Sequence, residues 1–374
     1  MDTVDGYDVP LTRTAASGVR GPLPRKRERI ASWVRRKIAL GSWRPGERLP
    51  DRTWFERHFA TTSATVQLAF AELRDEAFVT AVRGHGTRVA DPLPFAGRYL
   101  ILCNGTRERP SENLFASALR AGAEEVSRRR GVSFVIEGIL DERGDSPAML
   151  EVMDAVRRQR YSGVFFQNLG RETGERAISN ISHVPMSGYA LRDERAQGTL
   201  FAELRGFREA EETCMRAFFA DCRASGAREV AVFLPVGHHF AWEARCHRLA
   251  ESYGLAIMRE AFHTIPMNEY DPKEFARLAT LFLKSDARRT CDAVVLGDDN
   301  FVRPFTDAVR ALPQSLPGGM LLEALCHPPL YPRTSLPFMF HGFDTVTMLE
   351  SFVDYAEACH AGIRHPEPAS LSLR

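Results

Sequence analysis

The sequence predicts two structural classes in series: a small α+β module of three helices and a hairpin, then an α/β body of two lobes built on parallel doubly wound sheets. Three observations carry this expectation. An apolar helix pattern over residues 26–40 runs into Gly41-Ser42-Trp43-Arg44-Pro45-Gly46-Glu47-Arg48-Leu49-Pro50, and the segment closes on Gly84-His85-Gly86-Thr87-Arg88-Val89. From Arg98 onward, apolar strands alternate with amphipathic helices, the pattern of parallel sheets covered on both faces. Finally, 374 residues exceed what one hydrophobic core usually organises, so two or three domains are expected.

In the N-terminal module, residues 1–24 mix Gly, Pro, Ser and Thr with little apolar periodicity, as expected of a disordered arm. Ile30, Trp33, Val34, Ile38 and Ala39 fall on one helical face, with Gly41 as a stop signal and Pro45-Gly46 as a turn. Trp54, Phe55 and Phe59 mark a second, short helix. Thr62 is a good N-cap for a third, whose inner face uses Val66, Ala69, Phe70 and Leu73. Residues 78–82 and 87–89 read as two strands joined by a Gly-His-Gly tip. The module is therefore assigned to residues 25–90, with 91–97, opening on Asp91-Pro92-Leu93-Pro94, as a stiff linker.

In the body, residues 99–103 form an apolar strand and 112–130 a helix closing at Gly131. A strand at 132–136, a helix at 147–160 and a strand at 163–167 follow. Beyond Val184-Pro185-Met186 the pattern gives helices over 207–223, 239–253 and 272–285, alternating with strands at 229–234, 256–258 and 293–297. Residues 98–374 are too many for one sheet, and two doubly wound lobes are the natural division.

Composition narrows the function classes. The hydrophobic and charged fractions, 44% and 26%, are ordinary for a globular protein. No apolar run approaches the roughly 18 residues of a membrane helix, and the acidic start Met1-Asp2-Thr3-Val4-Asp5 lacks the features of a secretion signal. Seven scattered cysteines without a C-x-x-C pair suit reduced thiols in a cytoplasm. The net charge of +1 hides an asymmetry, because residues 1–90 carry 16 Lys/Arg against 10 Asp/Glu while the remainder carries 33 against 38. A basic module on a mildly acidic body is expected to meet a polyanion at one end.

Pro45-Gly46-Glu47-Arg48-Leu49-Pro50, Thr62-Ser63-Ala64-Thr65-Val66-Gln67, Ala69-Phe70-Ala71-Glu72-Leu73 and Gly84-His85-Gly86-Thr87 occur in the order found in the winged helix-turn-helix of the GntR family, which this region resembles. The resemblance implies DNA binding through the start of the third helix and the wing. The expected contacts are Arg52, Thr62, Ser63, Thr65, Gln67, Arg83, His85, Gly86 and Arg88. Family members usually carry arginines at the positions of Thr53, Ser63 and Gln67, each good base contact being worth about 1–3 kcal/mol of discrimination. Their replacement implies an altered operator, with Gln67 suited to adenine and Arg52 and Arg57 to phosphates.

Residues 98–374 resemble the sugar-binding core of the lac repressor family, itself similar to periplasmic sugar-binding proteins. The strand–helix order carries this resemblance, together with Phe240-Ala241-Trp242-Glu243-Ala244-Arg245 opening a helix and Asp292-Ala293-Val294-Val295-Leu296-Gly297-Asp298-Asp299-Asn300 closing a strand. By that likeness a ligand lies between the lobes at the carboxyl ends of the strands, with Arg245 and Asp299 on its hydroxyls and Asp298 in place of the usual asparagine. Strand ends add Asn104, Asn168 and Phe262, and Trp242 joins them as an aromatic for a sugar face. Glu137, Tyr189, His238 and His327 are lesser positions of the same kind. His238-His239 has no third ligand at metal spacing and reads as polar surface, so neither metal nor cofactor is expected. The Asp298-Asp299 pair is expected to diverge and lacks any accompanying nucleophile or phosphate-loop motif, so no enzyme is predicted.

Together these resemblances imply a DNA-binding transcription regulator, with an architecture similar to the arabinose-repressor type. Its expected character is a cytoplasmic homodimer, most simply a repressor, controlled by a sugar-like effector. The alternative is a DNA-binding or scaffold protein whose C-terminal body only dimerises.

Overall fold

A computed structural model describes residues 25–82, 84–104, 113–140, 146–167, 184–188, 210–236, 241–266, 270–313 and 316–363. The arm at 1–24 and the predicted site residues Arg83 and Asn168 lie outside them, as do Tyr189, His238 and His239.

Three helices, α1 (Lys26–Ala39), α2 (Arg52–His58) and α3 (Ser63–Asp75), precede an antiparallel hairpin of β1 (Val79–Val82) and β2 (Gly86–Val89). Asp51 starts α2 by accepting a 2.8 Å bond from the Trp54 amide, and Thr62 caps α3 by accepting from the Thr65 amide at 3.4 Å. Ile30, Val34, Ile38, Phe55, Val66, Leu73 and Phe78 are buried together as the core of this module. Within it, buried Arg35 joins α1 to α3, donating through Nε to Glu76 at 2.7 Å and through Nη2 to Glu72 at 2.6 Å. Arg48 adds an isolated antiparallel bridge to the hairpin opposite Arg88: the Leu49 amide donates to Thr87 O and the Val89 amide to Glu47 O, both at 2.9 Å.

The first lobe carries β3 (Arg98–Asn104), α4 (Leu114–Arg130), β4 (Ser133–Leu140), α5 (Pro147–Arg157), β5 (Gly163–Phe166) and β6 (Met186–Gly188), its sheet ordered β4-β3-β5-β6. The second carries α6 (Ala210–Ala224), β7 (Val230–Val236), α7 (Ala241–Ser252), β8 (Phe262–Pro266), α8 (Pro272–Lys284), β9 (Ala293–Leu296), α9 (Val302–Arg310), β10 (Leu321–Cys326) and β11 (Phe338–Gly342). Its sheet runs β11-β10-β9-β7-β8, and every pairing in both sheets is parallel. Helices cover both faces of such sheets, which is why their strands are almost uniformly apolar: Val164, Phe165, Phe166, Val294, Val295 and Leu296 are all buried.

A last helix, α10 (Thr345–His360), leaves the second lobe and packs on α4 and β5 of the first. Its Thr345 hydroxyl donates to Ala118 O in α4 at 2.8 Å. The sequence reading has no helix here. Val346, Met348, Leu349, Phe352, Val353, Tyr355, Ala356 and Cys359 are buried along one side of it while Asp354 and Glu357 stand exposed on the other, so the amphipathic period was present in the sequence and went unread. The strand expected at 256–258 is only an isolated bridge at Ala256, and the true strand is β8, after one turn of 3-10 helix at Arg259–Ala261.

The N-terminal module is seated on the body. Glu76 faces Arg160 at 3.5 Å, and Phe95 is buried between Phe78 and His360. The His360 ring stands with Nδ1 2.5 Å from Ala39 O at the end of α1 and Nε2 2.7 Å from Ser162 O before β5. Gly41 permits this approach, since it has φ +66° and an added Cβ would lie 2.4 Å from His360 O. Among the described residues no helix is long and apolar enough to cross a membrane, and all seven cysteines are buried and free.

Candidate functional site

Two surfaces carry the predicted residues. On the N-terminal module, α3 buries Val66, Ala69 and Leu73, which turns Ser63 and Gln67, one turn apart, outward. Thr62 and Ser63 sit at the positive end of the α3 dipole, so an anion or base edge approaching there meets unengaged amides. Arg52 and Thr53 are exposed at the start of α2, and His85 and Gly86 are exposed at the wing tip. Gly86 has φ +83°, and a Cβ there would stand 3.2 Å from Arg48 Nε; glycine thus lets the Arg48 guanidinium lie along the wing. Arg48 is exposed and was not among the predicted contacts. Arg88 has a structural task, its Nη1 donating to Gly46 O at 2.8 Å and fixing the 44–47 turn to β2. Thr65 lies half-buried beneath the cap, its hydroxyl 3.1 Å from that of Thr62.

The second is the junction where the two lobes meet at the carboxyl ends of their strands, the place of the expected cleft. Gly297-Asp298-Asp299-Asn300 turns away from the end of β9, with Asp299–Phe301 as a 3-10 turn. Asp298 Oδ1 accepts from the Asn300 amide at 2.9 Å and from Asn300 Nδ2 at 2.7 Å. Asp299 is buried; its Oδ1 accepts from the same Asn300 Nδ2 at 3.2 Å and its Oδ2 lies 2.9 Å from His327 Nδ1 at the end of β10. The two aspartates therefore converge on Asn300 and do not diverge as expected. Burial and the neighbouring Asp299 charge push the Asp298 carboxyl well above the usual carboxylate range.

Asn300 also spans the lobes. Its Oδ1 accepts from the Leu114 amide, at the start of α4, at 3.0 Å, and its carbonyl accepts from Tyr270 Oη at 2.8 Å. Beside it, Asn113 Oδ1 caps α4 through the Ala116 amide at 2.7 Å and accepts from Gln167 Nε2, at the end of β5, at 3.1 Å. The Phe115 ring packs on His327, centroids 4.3 Å apart. Polar groups from the carboxyl ends of β5, β9 and β10 thus meet the amino end of α4 in one cluster.

Of the predicted ligand residues, this cluster contains Asp298 and Asp299. Arg245, on α7, is exposed and ion-paired with Glu212 of α6. Asn104 ends β3 and Trp242 lies in the first turn of α7, at the expected ends of their elements; their side chains are outside the described residues. Phe262 is corrected: it opens β8 and so lies at the end of the sheet away from the cleft, where it packs on the core and on the His247 ring at 5.0 Å. The displaced strand assignment put it at the wrong end. Sequence reasoning missed Asn113, Gln167, Tyr270 and Asn300. Asn113 had a signal, an N-cap residue directly before a helical run, whereas Tyr270 arrives from a connection that no periodicity marks.

Comparison with known proteins agrees with this division. Residues 26–89 match the family of bacterial regulatory proteins, gntR family. The histidine utilization repressor of Klebsiella aerogenes is 34% identical over 65 residues, a match covering 17% of this chain and 27% of the repressor. The N-terminal module is thus a gntR-type helix-turn-helix domain. The body has the fold of the two-lobe LacI-family regulators. An Escherichia coli sugar-binding regulator of that family, complexed with phosphate, superposes with a TM-score of 0.54 at 12% identity, covering 75% of this chain and 97% of that one. A LacI-family regulator from Lactobacillus casei with bound sucrose gives 0.53 at 13% identity over 74% and 98%. The CelR–cellobiose complex, also a transcriptional regulator, gives 0.54 at 13% identity over 84% and 90%.

Proposed function

We propose that this chain is a ligand-responsive transcription regulator, not an enzyme. Its winged helix binds double-stranded DNA in the cytoplasm, and a small hydroxyl-rich ligand, a sugar in our reading, controls that binding from between the lobes. The module boundaries proposed are 25–90 for DNA binding, 91–97 for the linker and 98–374 for the effector body. A homodimer is proposed because operator half-sites pair with two-fold proteins.

The observation that carries this reading is a continuous mechanical connection. Pro328, next to the cleft residue His327, accepts from the Thr345 amide at 2.8 Å, which anchors the start of α10. The same helix ends at His360, against Ala39 of the DNA-binding module. A ligand that replaces the Asn300–Leu114 bond shifts one end of a rigid helix whose other end touches α1. Such a ligand regulates only through different affinities for the two arrangements. Carboxylates, an amide and an imidazole side by side suit a polyhydroxyl compound, which both donates and accepts.

The test is fluorescence anisotropy on DNA from upstream of the chain's own gene, with random DNA as reference and a panel of sugars and polyols as effectors. Preference for the upstream DNA and a change in affinity of tenfold or more with one panel member are expected. Asp299→Asn should lose most of that response, leaving effector-free DNA affinity within about twofold, because a bond to a charged group contributes about 1.5–3 kcal/mol. Specific DNA binding with no response to any compound would leave the dimerising scaffold instead.

A further inference from the structure

We propose that Asp221, Glu323 and His341 form a binding site for a divalent transition cation of the zinc class, on the second lobe and remote from the interlobe cluster. Glu323 lies in the middle of β10 with no exposed surface; its Oε1 has no hydrogen-bond partner and its Oε2 meets only the His341 ring. The register pairs Leu325 with His341, so His341 on the edge strand β11 shares the Glu323 face and stands diagonal to it. The helix laid over that face is α6, whose Phe218, Phe219 and Cys222 join Leu325 in the core and whose Asp221 points to the same spot. His341 Nε2 is 2.8 Å from Asp221 Oδ2 and 3.4 Å from Glu323 Oε2. One ligand atom from each residue lies within 4.8 Å of the other two.

Geometry, charge and access agree. Tetrahedral zinc with bonds of about 2.0–2.2 Å holds its ligand atoms roughly 3.4 Å apart, so these three close on one ion with small side-chain shifts. One imidazole with two carboxylates is a borderline-to-hard donor set, fitting Zn²⁺ better than an all-oxygen cation such as Mg²⁺. Among the described residues no lysine or arginine pairs with either carboxylate, and a protonated His341 bridging them would still leave Glu323 Oε1 without a partner. A divalent ion balances both charges and engages that oxygen. The cleft aspartates differ, each being hydrogen-bonded to Asn300. Asp221 and His341 are 34% and 20% exposed, which leaves a path for the ion and room for a water as fourth ligand. Sequence spacing gives no hint of the site, since its ligands come from a helix and two later strands.

The ion would fasten α6 to the β10–β11 edge, and the proposal stands whether or not the chain proves to be a sugar-responsive regulator. Full-length protein stripped with a chelator and dialysed is titrated with Zn²⁺ by calorimetry and followed by thermal unfolding. One Zn²⁺ per chain is expected, with Tm raised by about 5 °C at a hundredfold excess over Kd. Mg²⁺ should give no shift. His341→Ala and Asp221→Asn should each weaken binding tenfold or more, whereas His58→Ala, far away on α2, should leave it unchanged. Asp221 lies at the partly exposed edge, so Asp221→Asn carries the test if His341→Ala does not fold. Co²⁺ in place of Zn²⁺ should give the intense visible band of a four-coordinate site in wild type and not in Asp221→Asn. Zinc binding equal in Asp221→Asn and wild type, or no Tm shift in wild type, would overturn the assignment.

Discussion

In the winged helix, the residues positioned to meet a partner (Ser63, Gln67, Arg52 and the Gly86 tip) are exposed, while apolar rings hold the shape from behind. In the cleft the order is reversed: Asp298, Asp299, Asn300, His327 and Asn113 are engaged with one another across the lobe boundary. A partner of the first surface adds contacts to groups already solvated and placed. A partner of the second must replace bonds that exist, so its binding is inseparable from a change in how the lobes meet. This difference is what a switch requires, a rigid reader joined to a rearrangeable sensor.

The sharpest way to break that comparison is to empty the core of the reader. Phe55 is fully buried, and the rings of Trp33, Trp43, Trp54, Phe59 and Phe70 lie with centroids between 4.9 and 6.4 Å from it. Phe55→Ala should cost about 3–5 kcal/mol, abolish DNA binding and leave the unfolding transition of the body in place. Calorimetry of the full chain checks this. A single transition moving as one would mean that the two regions are not separate cooperative units.

The same contrast explains which parts could be read in the sequence. Regular elements were legible: the inner face Val66, Ala69, Phe70 and Leu73 and the Thr62 cap gave α3, with Phe70 only half-buried, and the apolar runs at 163–167 and 293–297 gave β5 and β9, each one residue shorter than expected. Asp298 and Asp299 were singled out by their likeness to the lac repressor family's body, and the structure places both after β9 where the lobes meet; a ligand role for either is part of our proposal. Asn113, Gln167 and Tyr270 were not legible, because their roles depend on the lobes meeting, which no local pattern encodes. Arg88 was half legible: its place in the wing is right, but its guanidinium holds the Gly46 turn. Glu323, His341 and Asp221 were invisible for a similar reason, since strand register and helix packing bring them together.

A smaller effect tests the connection between the regions. Burial holds the His360 imidazole below its ordinary pKa of 6.5, against the opposing pull of the Ala39 and Ser162 carbonyls and of Glu357. The folded protein thus prefers neutral His360, while the unfolded chain takes up a proton at 6.5. Stability is complete above that pH and is lost as the pH falls below it, by at most about 1.4 kcal/mol per pH unit. Denaturant midpoints from pH 8 to pH 5 should show this loss in wild type and less of it in His360→Asn, both read against the drift from other groups. An unchanged slope in the variant would remove His360 as the titrating contact between α10 and the winged helix.

The smallest expected effect concerns the start of the recognition helix. Thr62 Oγ1 accepts from the Thr65 amide at 3.4 Å, a long bond, so Thr62→Ala should cost only about 0.5–1 kcal/mol, at the lower end for an N-cap. Thr62→Ser keeps an oxygen in place and should recover most of it. DNA binding discriminates further, because the cap also sets the orientation of Ser63 and the half-buried Thr65. If the reader is rigid and preformed, Thr62→Ala lowers affinity for all DNA by a similar small factor and leaves sequence preference intact. If the preference itself changes, Thr62 contacts the operator directly. Affinities for upstream and random DNA, measured for both variants at two salt concentrations, separate these outcomes. A lost phosphate contact would also flatten the salt dependence, whereas a loosened helix start alone would not.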